Sequence, residues 1–442
     1  MKFINSTLVL ILSLFLSLVL TSSCDTTDPP SNKKITLEFE DASCTEAWLN
    51  LKLDNISLPA EININTDDST FLTANINSND TTLFIENLQP NQTYSFHSTI
   101  HPYSQSILKS NSVSVTTMDT TSHNFTWETF EFGGINGSSY FSDVAIINEN
   151  NIWAVGEIHT EDTDKFDSNG VWVQPYNAVH WNGNTWEFER IGGYGYGEYN
   201  VVYAFSENDV WFGGFIKWDG EKYTVHTSGF PFLPNGDGWR IKSMWGTSSQ
   251  DFYVVGNGGN IAHYNGSNWT KIESGTELDI NDILGDYNDK MGKWEIMAVA
   301  TDFVSNSGRF LLAIDNNQVK HLDVSPIVGR LQSLWFESNR KYYLVGSGIY
   351  TKENLSNSEW KKLPREVSEY FQETISAQSL NDIIITGHFN EVLHFNGVSW
   401  KSYRGKEISQ ESGVLYGSDY KVNSVAIVGS NGREALLYIG KR

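Results

Sequence analysis

The residues of this chain that could do chemistry are many, and few of them converge. Glu161-Asp-Thr-Asp-Lys-Phe-Asp-Ser-Asn-Gly170 gathers hard oxygen ligands, and Asp162, Asp164 and Asp167 are the kind that Ca²⁺ takes. The spacing fits no EF-hand and no Glu closes the loop, so a solvated acidic loop is the plainer reading. Ca²⁺ is the one cofactor suggested. No His-x-x-x-His or Cys cluster marks zinc. His180, His263 and His394 recur at one position of a repeat, which points to structure before ligation or catalysis. A glycosidase needs two carboxylates about 5–10 Å apart, and 53 acids nominate no pair. Two aromatic loops, 192–199 and 229–239, offer Tyr194, Tyr196, Tyr199, Phe230, Phe232 and Trp239 as a binding platform. Tyr and Trp suit such a site, joining apolar area to a polar handle. Packing on the strands beneath is the alternative. Finally, aligned copies of the repeat bring Asp143, Asn200, Ser243, Asp282, Ser333 and Thr374 to one position. Small polar side chains there would ring a central channel, lining it with water or holding a polar ligand.

Composition narrows the setting. The chain has 442 residues and a net charge of −23, with 13% aromatic residues. That aromatic content excludes a disordered chain, and the acidity argues against nucleic acid as the main partner. Two cysteines make no disulfide scaffold. Lys2 is the only charge before Asp25, and Leu8 to Leu20 is an apolar run of 13 residues. A membrane-spanning helix needs about 20. A basic start, a short apolar core and small residues describe a signal peptide over 1–23.

Thr21, Ser22 and Ser23 lead straight into Cys24, which resembles the lipobox of bacterial lipoproteins. That pattern wants Leu three places before the Cys, whereas Leu20 stands four before. The resemblance implies that Cys24 carries lipid and anchors the protein in the cell envelope, at an outer membrane or cell surface. Residues 24–34 then read as a tether with Pro29-Pro30. Cys44 reads as a buried small apolar residue rather than a reactive thiol.

Residues 35–118 alternate apolar and polar over short runs, as in Ile35 to Glu40, Ala47 to Leu53, Ile62 to Asn65 and Thr82 to Ile85. Period two gives strands with one packed face, hence an antiparallel sandwich. Leu88-Gln-Pro90-Asn-Gln-Thr-Tyr94 resembles the corner of fibronectin type III domains, where a Tyr pins the turn. Trp48 is expected in the core. The resemblance implies a spacer or adhesion module.

Residues 124–442 repeat seven times. The phrase "acid, two apolar, Val-Gly" anchors on Gly156, Gly213, Gly256, Ala300, Gly346, Gly387 and Gly429, at intervals of 41 to 57 residues. A second phrase is His180-Trp-Asn-Gly-Asn-Thr-Trp186, echoed from Lys217, His263 and His394. Asn-Gly or Asp-Gly between aromatic-rich strands predicts a two-residue hairpin with both turn residues at φ > 0. Four strands per unit, seven times over, predicts a seven-bladed β-propeller. Thr126 to Gly134 matches the outer strand of the first unit, so this N-terminal strand is expected to complete the last blade and close the ring.

The repeat resembles kelch and sialidase-like propellers of bacterial surface proteins. It lacks their Gly-Gly pair, a Trp-Asp signature and a true Asp-box, and its nine arginines form no convergent set. The architecture carries over and a named activity does not. The expectation is an all-β surface lipoprotein that binds a glycan or a protein without catalysis. The alternative is a polysaccharide hydrolase or lyase with carboxylates at the channel mouth.

Overall fold

In the computed structural model the described residues are 33–66, 69–100, 107–192, 200–231, 240–302, 308–355, 359–409 and 412–442. Among them the only helical element is a single 3-10 turn, Asn257–Gly259. The chain divides into two compact units, one built from segments up to Thr116 and one from Thr117–Arg442 with Ser43–Thr45 and Leu88–Gln92.

The first unit holds two antiparallel sheets. Lys34–Ala42, Ala47–Asp54 and Asp80–Ile85 form one in that order. Thr70–Ile76, Ala60–Asn65, Thr93–Ile100 and Leu108–Thr116 form the other. Period-two alternation buries Ile35 and Leu37, Leu49 and Leu51, Ile62 and Ile64. Trp48 is buried beside Phe84, with ring centres 5.5 Å apart. Tyr94 stacks on Phe96 at 5.7 Å.

In the second unit, the described residues form seven four-stranded antiparallel sheets and one two-stranded hairpin, Lys165–Phe166 with Trp172–Val173. The first strands of the sheets are Tyr140–Asn148, Val202–Ser206, Ile241–Ser248, Asp279–Asn288, Leu331–Glu337, Gln372–Ser379 and Val414–Lys421. The sheets are numbered one to seven in that order. The outer strand of sheet seven is Thr126–Phe132, which pairs with Ala435–Lys441. Apolar clusters fill the spaces between successive sheets. One joins Phe141 and Val144 of sheet one to Val428 and Leu437 of sheet seven.

The recurring Val-Gly has a steric cause. In six of the seven sheets the first strand carries a β-bulge opposite it or its Ala300 counterpart. The bulge drives a carbonyl against the glycine. A Cβ on Gly156, Gly256, Gly387 or Gly429 would lie 2.0–2.2 Å from the oxygen of Tyr140, Arg240, Phe371 or Val414.

The Asn-Gly turns differ from expectation. Gly183, Gly220, Gly266 and Gly397 have φ of 85–95°, but the residue before each is not left-handed. The turn closes from Asn182 N–H to the Thr185 oxygen, which puts Gly183 at its second position. Asn182 Oδ1 instead accepts the N–H groups of Asn184 and Thr185, both at 3.0 Å. Asp219, Asn265 and Asn396 do the same. The acid or amide recurs as a side-chain cap.

The repeat histidines are structural. Their Nε2 atoms meet the residue that opens the Val-Gly strand: Asn151 at 2.9 Å, Asp251 at 2.7 Å and Asp382 at 2.9 Å. Cys44 is fully buried, and its Sγ donates to the Asp119 oxygen at 3.2 Å.

Candidate functional site

The first strands of all seven sheets line one cavity of about 940 Å³. Contacts between them advance together, Asp282 with Ser333 and Asp286 with Ser338, so these neighbours run in the same direction. The strands therefore present successive levels to the cavity.

All six ring residues expected from the sequence line it: Asp143, Asn200, Ser243, Asp282, Ser333 and Thr374. Asp143 Oδ2 accepts from Val202 N–H at 3.0 Å, as Asp282 Oδ2 accepts from Leu334 N–H at 3.2 Å. Leu334 follows Ser333. The position matching Ser333 in sheet two is therefore Val201, and Asn200 stands one residue earlier. In sheet seven the position falls to Gly417, opposite Val428. A Cβ there would lie 2.9 Å from the Asp143 Cα. This level is a belt that ties sheets together. Ser243 Oγ donates to Asp282 at 2.8 Å, and Ser333 Oγ donates to it at 2.5 Å. Ser333 Oγ also accepts from Ile375 N–H at 3.3 Å. Burial pushes Asp143 up to about 7, with the Val202 and Val144 N–H groups pulling the other way. Burial also raises Asp282, against the hydroxyls of Ser333 and Ser243.

One residue earlier lies a second level, which the sequence reading missed. It is Ser142, Asn200, Lys242, Asn281, Gln332, Glu373 and Tyr416, all lining the cavity. In six sheets this residue is the one skipped in the pairing register, the bulge itself. A bulge aims its extra side chain away from the ladder. All seven are polar. Lys242 Nζ reaches Asn281 and Asp279, each at 2.9 Å, and Asn281 Nδ2 donates to the Leu331 oxygen at 3.0 Å. Glu373 Oε1 meets His388 Nε2 at 2.9 Å. Tyr416 is 41% exposed. Two residues beyond the belt come Tyr203, Trp245, Leu284 and Trp335, an apolar and aromatic arc across sheets two to five, with Ala145, Ser376 and Asp419 at that level in sheets one, six and seven. The missing signal was the bulge, which shifts the phase by one residue.

The acids at the cavity are committed to protein donors. Asp419 Oδ2 accepts from Ile146 N–H at 2.7 Å and pairs with Lys421 at 3.3 Å. With Asp143, Asp282 and Glu373 bonded as above, no free carboxylate pair faces the cavity among the described residues.

Beside the polar ring, sheet six carries an aromatic patch. Phe371 and His388 have ring centres 5.2 Å apart, and Tyr370 and Phe389 5.0 Å. The Arg404 guanidinium lies 5.1 Å over Tyr370, and its Nε donates to the Phe389 oxygen at 2.6 Å. Phe389 has φ of 60° and is 46% exposed.

The remaining sequence expectations fare differently. Phe230 is buried against Trp269 and Phe215 in the core of sheets two and three, so it is no platform residue. Burying the ring removes apolar area from water. Tyr194, Tyr196, Tyr199, Phe232 and Trp239 lie outside the described residues, as does Cys24. Asp162, Asp164 and Asp167 do not converge. Tyr176 donates to Asp162 at 2.8 Å, while Asp164 meets His159 at 2.7 Å. Asp167 caps the Asn169 and Val171 N–H groups, each at 2.8 Å. Among the described residues no group of three or more His, Cys, Asp or Glu could hold a metal.

No protein-family model and no curated protein matches this chain. Among solved structures it is similar to YCF48 bound to a D1 peptide, at a TM-score of 0.50 and 15% identity. That match covers 73% of this chain and 97% of the other. YCF48 from Cyanidioschyzon merolae gives a TM-score of 0.48 at 13% identity, over 71% and 98% of the two chains. The tricorn protease gives 0.29 at 9%, over 88% and 41%. The chain is all-β, and the first of these likenesses marks its fold as a β-propeller.

Proposed function

We propose that this chain is a lipid-anchored cell-envelope protein whose propeller binds an extended protein segment, without catalysis, at the polar mouth of the cavity. The observation that carries the reading is the ring of seven polar side chains placed by the bulges. Amides, hydroxyls and one charge of each sign suit peptide N–H and C=O groups. The aromatic arc below suits a side chain that enters with them, and the volume is that of a ligand site. The solved YCF48 with a D1 peptide is a propeller holding a protein segment. In this reading residues 124–442 form seven blades, closed by Thr126–Phe132. Residues 35–118 form a fibronectin type III-like sandwich, supported by the three-plus-four strand order. Cys24 is the lipidated residue after a signal peptide, and residues 24–34 are the tether.

A display library of ten-residue peptides, panned on the mature chain, tests the site. Gln332→Ala and Tyr416→Ala should weaken the selected peptides at least tenfold. Binders indifferent to both variants, or a chain that takes glycans from an array and no peptide, would overturn it. For the anchor, Cys24→Ser should move the chain from the membrane to the soluble fraction. A variant still held on membranes would refute lipidation.

A further inference from the structure

The turn that follows the Val-Gly strand appears in matching form in sheets three and six. After Gly256 come Asn257, Gly258, Gly259 and Asn260; after Gly387 come His388, Phe389, Asn390 and Glu391. The backbones agree: φ is 63° and 71° at the two glycines, 60° and 54° at Phe389 and Asn390. Both turns begin with an N–H bonded to the residue just before the first strand, Asn257 to the Arg240 oxygen and His388 to the Phe371 oxygen. Gly258 faces open space, with only the Asn260 amide 3.6 Å from a built Cβ. Glycine is thus sufficient for this turn, and a phenylalanine at the same φ is a strained choice. The Phe389 side chain does not repay that by burial, since it is 46% exposed.

Three further features surround this strained turn. The turn joins the polar ring directly, through His388 Nε2 and Glu373 Oε1 at 2.9 Å. Phe389 stands beside Tyr370 as an edge of an aromatic patch. Arg404, which fixes the turn through the Phe389 oxygen, pairs with no carboxylate among the described residues, in a chain of net charge −23. An exposed aromatic next to a guanidinium that meets no carboxylate among the described residues complements an apolar ring next to an acid.

We infer that Phe389 and Arg404 dock an aromatic side chain followed by an acidic residue in a protein segment that enters the polar ring. This rests on the reading that the cavity mouth binds protein. The probes are N-acetyl-Phe-Asp-amide, N-acetyl-Phe-Asn-amide and N-acetyl-Ala-Asp-amide, with cellotriose as the carbohydrate, followed by saturation-transfer NMR on the mature chain. The Phe-Asp probe should bind at least tenfold more tightly than either other dipeptide. Phe389→Gly should lose that binding, and Arg404→Gln should make Phe-Asp and Phe-Asn equal. Phe389→Gly will fold, because Gly258 occupies the same turn. Equal binding of Phe-Asp to Phe389→Gly and wild type, or saturation of cellotriose alone, would overturn the inference. Library peptides that depend on Gln332 but not Phe389 would sink it and leave the proposed function standing.

Discussion

In sheet three, His263 meets Asp251 at 2.7 Å with the acid half exposed. In sheet six, His394 meets Asp382 at 2.9 Å with both side chains buried. The residues and register are the same, but the surroundings are not. Asp382 also accepts from Tyr420 at 2.6 Å and from Arg442, and His394 Nδ1 faces His123 Nδ1 at 2.7 Å. The turns differ in the same sense, Gly258-Gly259 in sheet three and Phe389-Asn390 in sheet six. Sheet three shows what the repeat needs in order to fold. Whatever sheet six adds must be explained by something other than the repeat, and the two additions have different explanations. The buried pair ties Arg442 and the His123 segment to sheet six. The strained Phe389 contributes little to packing and is assigned to binding.

The largest expected effect breaks the buried pair. Asp382→Asn leaves Arg442 without its buried counter-charge and disturbs the acceptor of His394 Nε2, and should cost about 3–5 kcal/mol. Asp251→Asn in sheet three should cost under about 1 kcal/mol, because its carboxylate is solvated. Equal losses in urea melts would erase the distinction. Next comes the turn. Gly258→Phe imposes the sheet-six backbone cost on sheet three and should destabilise by about 1–2 kcal/mol. No change would mean that φ near 60° carries no strain in this turn.

The third effect is on pH. Burial, then the charges of His394, Lys401 and Arg442, push His123 down to about 4. Between its ordinary value of about 6.5 and 4, the unfolded chain binds a proton that the folded chain does not. Stability should therefore fall as pH drops through that window. The two Nδ1 atoms at 2.7 Å account for the part that comes from His394, since protonating both rings sets two N–H groups face to face. His123→Gln should flatten the slope between pH 6.5 and 4, measured as denaturation midpoints. A slope as steep as wild type would place the sensitivity elsewhere.

Much of the fold was legible because period-two alternation and the repeat are both local signals. The His–acid pairing was half legible: the two phrases containing His263 and Asp251 stood in the sequence, but their register did not. The polar ring was read one residue out of phase at Asn200. A bulge adds a residue without any mark in composition, and Gly417 has no side chain to betray its place. The sequence leaves Phe230 open between platform and core, because a Gly- and Pro-rich loop hides which of its aromatics turn inward. Phe389 gave no signal, since a left-handed phenylalanine looks like any other until its φ is known.

The central claim is that Phe389 is kept for a ligand rather than for the fold. It is tested most directly by one variant measured twice. Phe389→Gly should stay within about 1 kcal/mol of wild-type stability, strain relief offsetting glycine entropy and the lost Tyr370 contact. In the same preparation, N-acetyl-Phe-Asp-amide should bind at least tenfold more weakly. Unchanged binding, or a loss of about 3 kcal/mol as for a buried phenylalanine, would contradict the account.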